Sequence, residues 1–296
     1  MVDTVIGTED AERADIPETE RVLLAASGSF AGLAAARWLI ARARTHALSV
    51  QVSVAPDAVP GLDDVEPDPA AAADRVHEYL RLVEPAIESD VVLLSADRDT
   101  DVIDASLETD LLVLTTIVTG PEGEVRPGSF VSRIAMRAGC ATVIVPRAWT
   151  PNDDGPIVVG VGDGVGEYAA LDRAAAEAQQ QDRCLVLLRA SRLSPDVDRS
   201  VLSDLDVEFA DSLDRQSLED ALNYVVDRYP GVSVRPAQSA SAPLEALIEQ
   251  GRGAALIVVG SATSVDEEGA AAVARSLAEH PPCPVMVVPP APAAAS

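Results

Sequence analysis

Residues 110–146 read DLLVLTTIVTGPEGEVRPGSFVSRIAMRAGCATVIVP, and this stretch decides the fold class. An apolar run from Asp110 to Thr116 leads into a loop rich in Gly and Pro. A helix-like segment follows at Phe130–Ala138, and a second apolar run closes the stretch at Ala141–Pro146. This order of strand, loop, helix start and strand is typical of an open α/β sheet, which presents backbone N–H groups to an anion beyond its strand ends.

A second, weaker copy of this pattern lies near the C-terminus. It runs from the apolar Ala255–Ser261, through a helix-like Ala271–Glu279, to Cys283–Val288. Along the whole chain apolar runs alternate with helix-like segments, and the order starts again after a linker at Trp149–Gly155 that is rich in Pro, Asn and Asp. Such alternation predicts parallel sheets with right-handed crossovers. We therefore expect an α/β chain of two tandem five-stranded parallel-sheet domains, at residues 20–148 and 155–290.

Two longer helices and one acidic loop are also predicted from the residue pattern. Apolar residues at helical spacing predict helices at Ala70–Glu88 and Leu213–Tyr229. The acidic segment Pro195–Ala210 predicts a loop.

The charge balance is strongly acidic. The chain has 48 Asp and Glu against 22 Lys and Arg, a net charge of −26, and every basic residue is Arg. One interpretation is adaptation to a concentrated-salt cytoplasm, because at about 1 M salt the Debye length falls to about 3 Å and self-repulsion is screened. The other is an arginine-biased, GC-rich genome without salt adaptation. Unfolding at low salt would separate the two.

Several classes of function are not expected. Nucleic acid and anionic membranes bind through a basic surface, which this composition argues against. No apolar stretch reaches the roughly 20 residues of a membrane span, and the acidic N-terminus lacks a signal pattern, so we expect a cytoplasmic protein. The three cysteines are too scattered for a disulfide framework or a zinc site; Cys140 and Cys283 are expected to be buried apolar residues. The three histidines lack metal-ligand spacing and are expected at helix ends or on the surface.

With this order established twice, the residues resemble the universal stress protein family. In the first half the match lies in Asp110–Leu114, Gly128-Ser129, Val131–Arg133 and Ala141–Pro146. In the second half it lies in Pro156–Val161, Ala170-Leu171, Ile257–Ser261 and His280–Val285. The resemblance implies adenine-nucleotide α-hydrolase-like, Rossmann-like domains joined as an internal pseudo-dimer. It also implies that the fifth strands, Thr142–Val145 and Val285–Val288, pair across the two-fold axis.

In the ATP-binding branch of that family an Asp follows the first strand, and a Gly-x2-Gly-x9-Gly-Ser/Thr loop after the fourth strand holds the phosphates. Glycines let backbone N–H groups approach phosphate oxygens closely. In the first half of this chain the Asp position is Ser27 and the first two glycines correspond to Thr115 and Val118. The resemblance then leaves Gly128 and Ser129 as the candidate phosphate loop.

The second half departs further from the motif. Its Asp position falls on Gly162, with Asp163 next to it, and Gly260 keeps the first glycine. The Gly-Ser pair is replaced by Ala271-Ala272, and the acids at 266–268 place negative charge where phosphates would bind. Ser27, Gly128, Ser129, Asp163 and Gly260 are thus the candidate cofactor-binding residues, and ATP or AMP the candidate ligands.

Each candidate also has a structural interpretation. Gly128-Ser129 is equally consistent with an ordinary helix start, where Ser is a favoured cap. Gly260-Ser261 and Ser27-Gly28-Ser29 are typical of strand-to-helix turns. No Ser/His/Asp set stands out, and without Lys a Walker A loop is impossible.

Two functions therefore stay open. The first is a non-enzymatic stress-response or regulatory module with degenerate nucleotide sites, which acts on protein partners. The second is an ATP or AMP sensor, or a slow ATP hydrolase, that uses the Gly128-Ser129 loop. A purely structural role, and a further homodimer beyond the internal pair, also remain open.

Overall fold

In the computed structural model, the residues described are 19–27, 29–55, 69–92, 98–115, 130–162, 167–191, 203–261 and 268–290. They form ten strands and eight helices in near-regular alternation. The first half contains β1 (Glu20–Ser27), α1 (Ser29–Arg42), β2 (Leu48–Ala55), α2 (Pro69–Val83), β3 (Glu88–Val91), α3 (Arg98–Ser106), β4 (Leu111–Thr115), α4 (Phe130–Ala135) and β5 (Ala141–Val145). The second contains β6 (Ile157–Gly160), α5 (Glu167–Gln180), β7 (Leu185–Ala190), α6 (Asp204–Arg228), β8 (Val234–Ser239), α7 (Pro243–Gly251), β9 (Leu256–Gly260), α8 (Glu268–Glu279) and β10 (Val285–Val288).

All ten strands belong to one sheet, in the order β3-β2-β1-β4-β5-β10-β9-β6-β7-β8. Every neighbouring pair is parallel except β5 and β10, which pair antiparallel where the two halves meet. Each half therefore contributes five strands in the same internal order. The predicted α/β class is confirmed, as is the expected pairing of the fifth strands. The domain bounds 20–148 and 155–290 stay a prediction.

The sheet is covered on both faces, which explains why its central strands are apolar throughout. Every residue of β4 and of β5 is buried. On one face the core runs without a break from Leu39 in α1 to Leu171 in α5. On the other face it runs from Ile134 in α4 to Leu277 in α8. Both layers thus continue across the junction of the halves.

Strand register shows which residues of the two halves correspond. At the junction Val143 pairs with Met286, flanked by the pairs Thr142–Val287 and Ile144–Val285, so a two-fold axis relates Val143 to Met286. Followed outward through the parallel pairs, the register relates Thr115 to Gly260 and Leu24 to Val159.

The register continues to the next strand on each side, where Val52 corresponds to Leu187. Residue numbers therefore differ by 135 at both β1/β6 and β2/β7, the strands that flank α1 and α5. Because the chain between them has the same length in both halves, residues of α1 and α5 correspond with the same shift.

Two predicted helix bounds were wrong, each for a local reason. The helix expected to reach Glu88 ends at Val83 because Pro85 disfavours helical backbone before it, and Glu88 begins β3 instead. The helix expected from Leu213 begins at Asp204, where Ser203 and Asp206 form a capping box, so the predicted loop is helical from residue 204. The earlier part of that loop, up to residue 202, lies outside the described residues.

Candidate functional site

The structure describes two of the five candidate cofactor-binding residues. Ser27 is the last residue of β1, and Gly260 is the last residue of β9. Because the two halves join through an antiparallel pair, these residues end their strands at opposite edges of the sheet. Gly128, Ser129 and Asp163 lie outside the described residues. The two described candidates therefore belong to separate places rather than to one site.

At the carboxyl end of β4, Thr115 has an unusual environment. Its residue is 2% exposed, and its hydroxyl oxygen Oγ1 has no hydrogen-bond partner among the described residues. β4 pairs with β1, so Thr115 ends its strand at the same edge as Ser27. A buried hydroxyl without a partner has a free-energy cost. Among the described residues of the first half, the only other such side-chain atom is Nε2 of His46, which lies at the junction rather than at the carboxyl edge.

In the second half, the sheet edge formed by the carboxyl ends of the strands contains a buried ion pair. Arg189, near the end of β7, places Nε 3.0 Å and Nη2 2.9 Å from Oδ1 of Asp214 in α6. Its Nη1 donates to the carbonyl oxygen of Val161, just beyond β6, at 3.0 Å. The two side chains are 4% and 0% exposed. The guanidinium thus ties together β6, β7 and α6 at the edge where a nucleotide would approach.

The corresponding residue of the first half is not charged. The shift of 135 relates Arg189 to Val54 in β2, so the ion pair has no counterpart at that place. The sequence pattern does not reveal the pair, because Arg189 closes the apolar run 184–188 and resembles an ordinary strand end. Asp214 gave a usable signal, since it lies four, seven and eleven residues before Leu218, Ala221 and Val225 on the buried stripe of α6.

Gly260 and Ser261 continue the strand rather than leaving it at once. Gly260 pairs with Val288, and the Ser261 amide donates to the Val288 carbonyl oxygen at 2.7 Å. Glu268, which the sequence predicted to lie in an acidic loop, is the first residue of α8. Asp266 and Glu267 lie outside the described residues.

A second buried ionic cluster lies where α1 and α5 meet across the junction; we call it the seam cluster (Glu20, Arg42, His46, Arg173, Glu177 and Gln181). Arg42 and Glu177 form a two-pronged pair, with both Nη1–Oε2 and Nη2–Oε1 at 2.7 Å and both side chains 2% exposed. Arg42 also donates to Glu20 through Nε at 2.7 Å. Arg173 reaches across the seam in the other direction, with Nη2 2.8 Å from Glu20 and 3.1 Å from Glu177.

This arrangement shifts the ionisation of its members. Burial by itself would raise the pKa of Glu177, but Arg42 and then Arg173 lower it to about 2. Burial and the positive charge of Arg42 lower the pKa of His46, whose side chain is 6% exposed and lies 3.9 Å from Glu177. His46 was expected at a helix end; it follows α1 as predicted, but its side chain is buried in the seam.

The linker between the halves is fastened to the second half. Arg183 donates through Nη1 to the carbonyl oxygens of Asn152 at 3.0 Å and Gly155 at 2.8 Å. Asn152 in turn donates through Nδ2 to the Gly253 carbonyl at 3.2 Å. A cleft of about 120 Å³ opens beside it, lined in part by Trp38 and Trp149. The linker is therefore an ordered bridge along the seam.

Other sequence expectations can be compared with the described part of the chain. Cys140 and Cys283 are buried, as expected, and burial raises the pKa of the Cys283 thiol to about 12. Among the residues that the structure describes, no cluster of three or more His, Cys, Asp or Glu has a metal-binding arrangement. None of the described helices is both long and apolar enough to cross a membrane.

Comparison with known proteins supports the resemblance unevenly. Residues 155–289 match the model of the universal stress protein family. A universal stress protein from Archaeoglobus fulgidus DSM 4304 has a similar structure, with a TM-score of 0.59 and 17% identity over 92% of this chain and 96% of that one. A putative universal stress protein from Pseudomonas aeruginosa UCBPP-PA14 gives 0.57 and 15% over 92% and 93%. No curated protein matches the chain.

These identities support a common fold and no more. The second half therefore matches the universal stress protein family by sequence, while the chain as a whole shares the fold of solved universal stress proteins.

Proposed function

We propose that this chain is a non-enzymatic regulatory module of a stress response, built from two universal-stress-type domains at 20–148 and 155–290, with degenerate nucleotide sites. One observation carries the proposal: the buried Arg189–Asp214 pair at the carboxyl edge of the half that matches the family. In an open α/β sheet, ligands bind beyond the carboxyl ends of the strands.

The chemistry of that pair argues against a nucleotide in the second half. Nε and Nη2 of Arg189 lie on Asp214, and Nη1 donates to Val161. Turning the guanidinium toward a phosphate would leave Asp214, at 0% exposure, as a buried carboxylate without this partner. Such an arrangement is costly, so the contacts of Arg189 disfavour its use as a phosphate ligand.

Titration calorimetry of the full chain with ATP, AMP and cyclic dinucleotides in molar salt tests the proposal. We expect no stoichiometric heat with any of them. Tight, stoichiometric ATP binding, at one site or at two, would overturn it.

A second candidate function is favoured by Thr115. Its unpartnered hydroxyl lies 2% exposed at the carboxyl edge of the first half, in the strand that precedes Gly128 and Ser129. An adenine-nucleotide sensor, or a slow ATP hydrolase, that uses the Gly128-Ser129 loop would supply that hydroxyl with a partner.

Single-site ATP binding is the signature of this alternative. Gly128→Val and Ser129→Ala should each weaken that binding at least tenfold, whereas Ser203→Ala, in the second half, should leave it unchanged. Unchanged affinity in both loop variants would exclude the Gly128-Ser129 site.

A further inference from the structure

The two sides of the seam carry different residues at corresponding positions. With the shift of 135, Arg42 corresponds to Glu177, Trp38 to Arg173, and His46 to Gln181. In each half the three positions follow one another at intervals of four residues; the first two lie on one face of the helix, and the third lies just beyond its end. The same surface is therefore built from Trp, Arg and His in one half and from Arg, Glu and Gln in the other.

Corresponding residues meet at the two-fold axis, and here they are opposite in charge. Arg42 and Glu177 are joined by two hydrogen bonds of 2.7 Å each, in the flat two-pronged geometry that suits a guanidinium and a carboxylate. A seam between two copies of the first half would bring Arg42 against Arg42. A seam between two copies of the second half would bring Glu177 against Glu177. At 2% exposure, water screens such like charges poorly.

The second contact across the seam points to the same conclusion. Glu20 accepts from Arg173 at 2.8 Å, but the positions that correspond to these residues hold Gly155 and Trp38. In a seam between two first halves Glu20 would face Trp38, and in one between two second halves Arg173 would face Gly155. Each half also contains one counter-ion of its own, Glu20 for Arg42 and Arg173 for Glu177. The contacts across the seam, rather than the net charge of either half, therefore distinguish an unlike pairing of halves from a like one.

We propose that the seam cluster determines the pairing partner: each half accepts the unlike half and rejects a second copy of itself, through opposite charges at corresponding positions 42 and 177. A universal-stress-type surface with a carboxylate at the position of Glu177 fits the first half, and one with a guanidinium at the position of Arg42 fits the second. This inference is independent of any nucleotide and does not rest on the proposed function.

Single charge reversals recreate the rejected pairings inside the full chain. Arg42→Glu places Glu against Glu, as in a seam of two second halves, and Glu177→Arg places Arg against Arg, as in a seam of two first halves. The double variant restores an opposite pair in reversed order at positions 42 and 177 and keeps the Glu20–Arg173 contact, so the cluster returns to zero net charge. It also sets like charges together within each half, at positions 20 and 42 and at positions 173 and 177.

Two measurements on the full chain report the result. Each single reversal should lower the melting temperature by roughly 6–10 °C. The double variant should lose clearly less than the two single losses added together, because it restores the opposite pair across the seam and the zero net charge of the cluster. Amide exchange in β5 and β10 should become roughly tenfold faster or more in the single variants and slow again in the double, while exchange in β2 and β7, which carry no residue of the seam cluster, changes less.

Matched controls keep the test decisive. The same three reversals at Arg21 and Asp110, an ion pair within the first half whose side chains are 62% and 42% exposed, should move the melting temperature by little. If a single reversal at the seam yields no folded protein, the double variant must still fold. A double variant as unstable as the two single losses added together, or single variants with wild-type exchange in β5 and β10, would overturn the proposal.

Discussion

The two halves share their layers but differ in where they bury charge. The first half buries Arg42 at the seam and leaves its carboxyl edge with an unpartnered hydroxyl at Thr115. The second half buries Glu177 at the seam and adds the Arg189–Asp214 pair at its carboxyl edge. Buried charge is costly unless it is paired with good geometry. The two buried ion pairs, Arg42–Glu177 and Arg189–Asp214, therefore each disfavour other packing arrangements at their positions. At the carboxyl ends of their strands the two halves therefore differ: the described residues of the second half pair a buried charge there, and those of the first leave a buried hydroxyl without a partner.

The largest expected effect comes from removing the buried ion pair at the carboxyl edge of the second half. Arg189→Met removes the cation and leaves Asp214 buried, which should lower the free energy of unfolding by about 3–5 kcal/mol. Urea unfolding followed by circular dichroism measures it. Arg21→Met, at an exposed pair, is the control and should cost less than about 1 kcal/mol. A loss as small as that of the control would mean that the edge does not depend on the ion pair.

The second-largest expected effect is a loss of stability in acid, caused by protonation of Glu177 at the seam. The pKa of Glu177 falls from its ordinary value of 4.5 to about 2 in the folded chain. A lowered carboxyl pKa stabilises the fold above the unfolded value, and that contribution is lost as pH falls from 4.5 through about 2. Between pH 5 and pH 3 this single group should remove about 2 kcal/mol from the free energy of unfolding.

Urea midpoints of wild type and of Glu177→Gln, measured across that range, isolate this contribution. The variant should be less stable at pH 5 and should lose less stability on acidification than wild type does. Parallel curves for the two proteins would contradict the assignment to Glu177.

A smaller effect concerns the long helix of the second half. Ser203 caps α6 by accepting from the Asp206 amide at 3.2 Å. Ser203→Ala should lower the free energy of unfolding by about 1 kcal/mol, because an N-terminal amide of the helix loses its partner. Ser203→Asn, which keeps a side-chain acceptor oxygen and is a favoured cap residue, should cost much less, and equal losses in the two variants would show that the side-chain oxygen is unimportant.

The smallest expected effect is a gain in stability, and it concerns the carboxyl edge of the first half. Thr115→Val replaces a buried, unpartnered hydroxyl with a methyl group of similar size, which should raise the free energy of unfolding by about 0.5–1 kcal/mol. Thr142→Val is the matched control, because the Thr142 hydroxyl is also buried but donates to the Cys140 carbonyl at 3.4 Å. A destabilised Thr115→Val variant would show that this hydroxyl has a partner in the folded chain.

Much of the fold followed from sequence because apolar runs and their spacing carry it. Strands such as Leu111–Thr115 are buried on both faces and read as continuous apolar segments. Helix bounds were less predictable where a local signal was overlooked, as with Pro85 after α2 and the capping box before α6.

The buried ion pairs were missed for a different reason. Each depends on residues far apart in sequence: Arg42 and Glu177 are separated by 135 positions. A partial signal was present at Asp214, which lies on the apolar stripe of α6, where a charge requires a buried partner. Pattern alone shows that such a residue needs a partner but not which one. For the same reason, sequence could name Ser27 and Gly260 as strand ends but could not show what surrounds them.

The outer strands have a consequence for assembly. β3 has only four residues, and β8, at the other end of the sheet, contains Pro236, which lacks an amide hydrogen for a neighbouring strand. Short or proline-bearing border strands are poor templates for strand addition. The apolar edge strands of the two halves, β5 and β10, pair with each other and are therefore not available to another chain. Growth into longer fibres by strand addition is therefore disfavoured at both ends of the sheet.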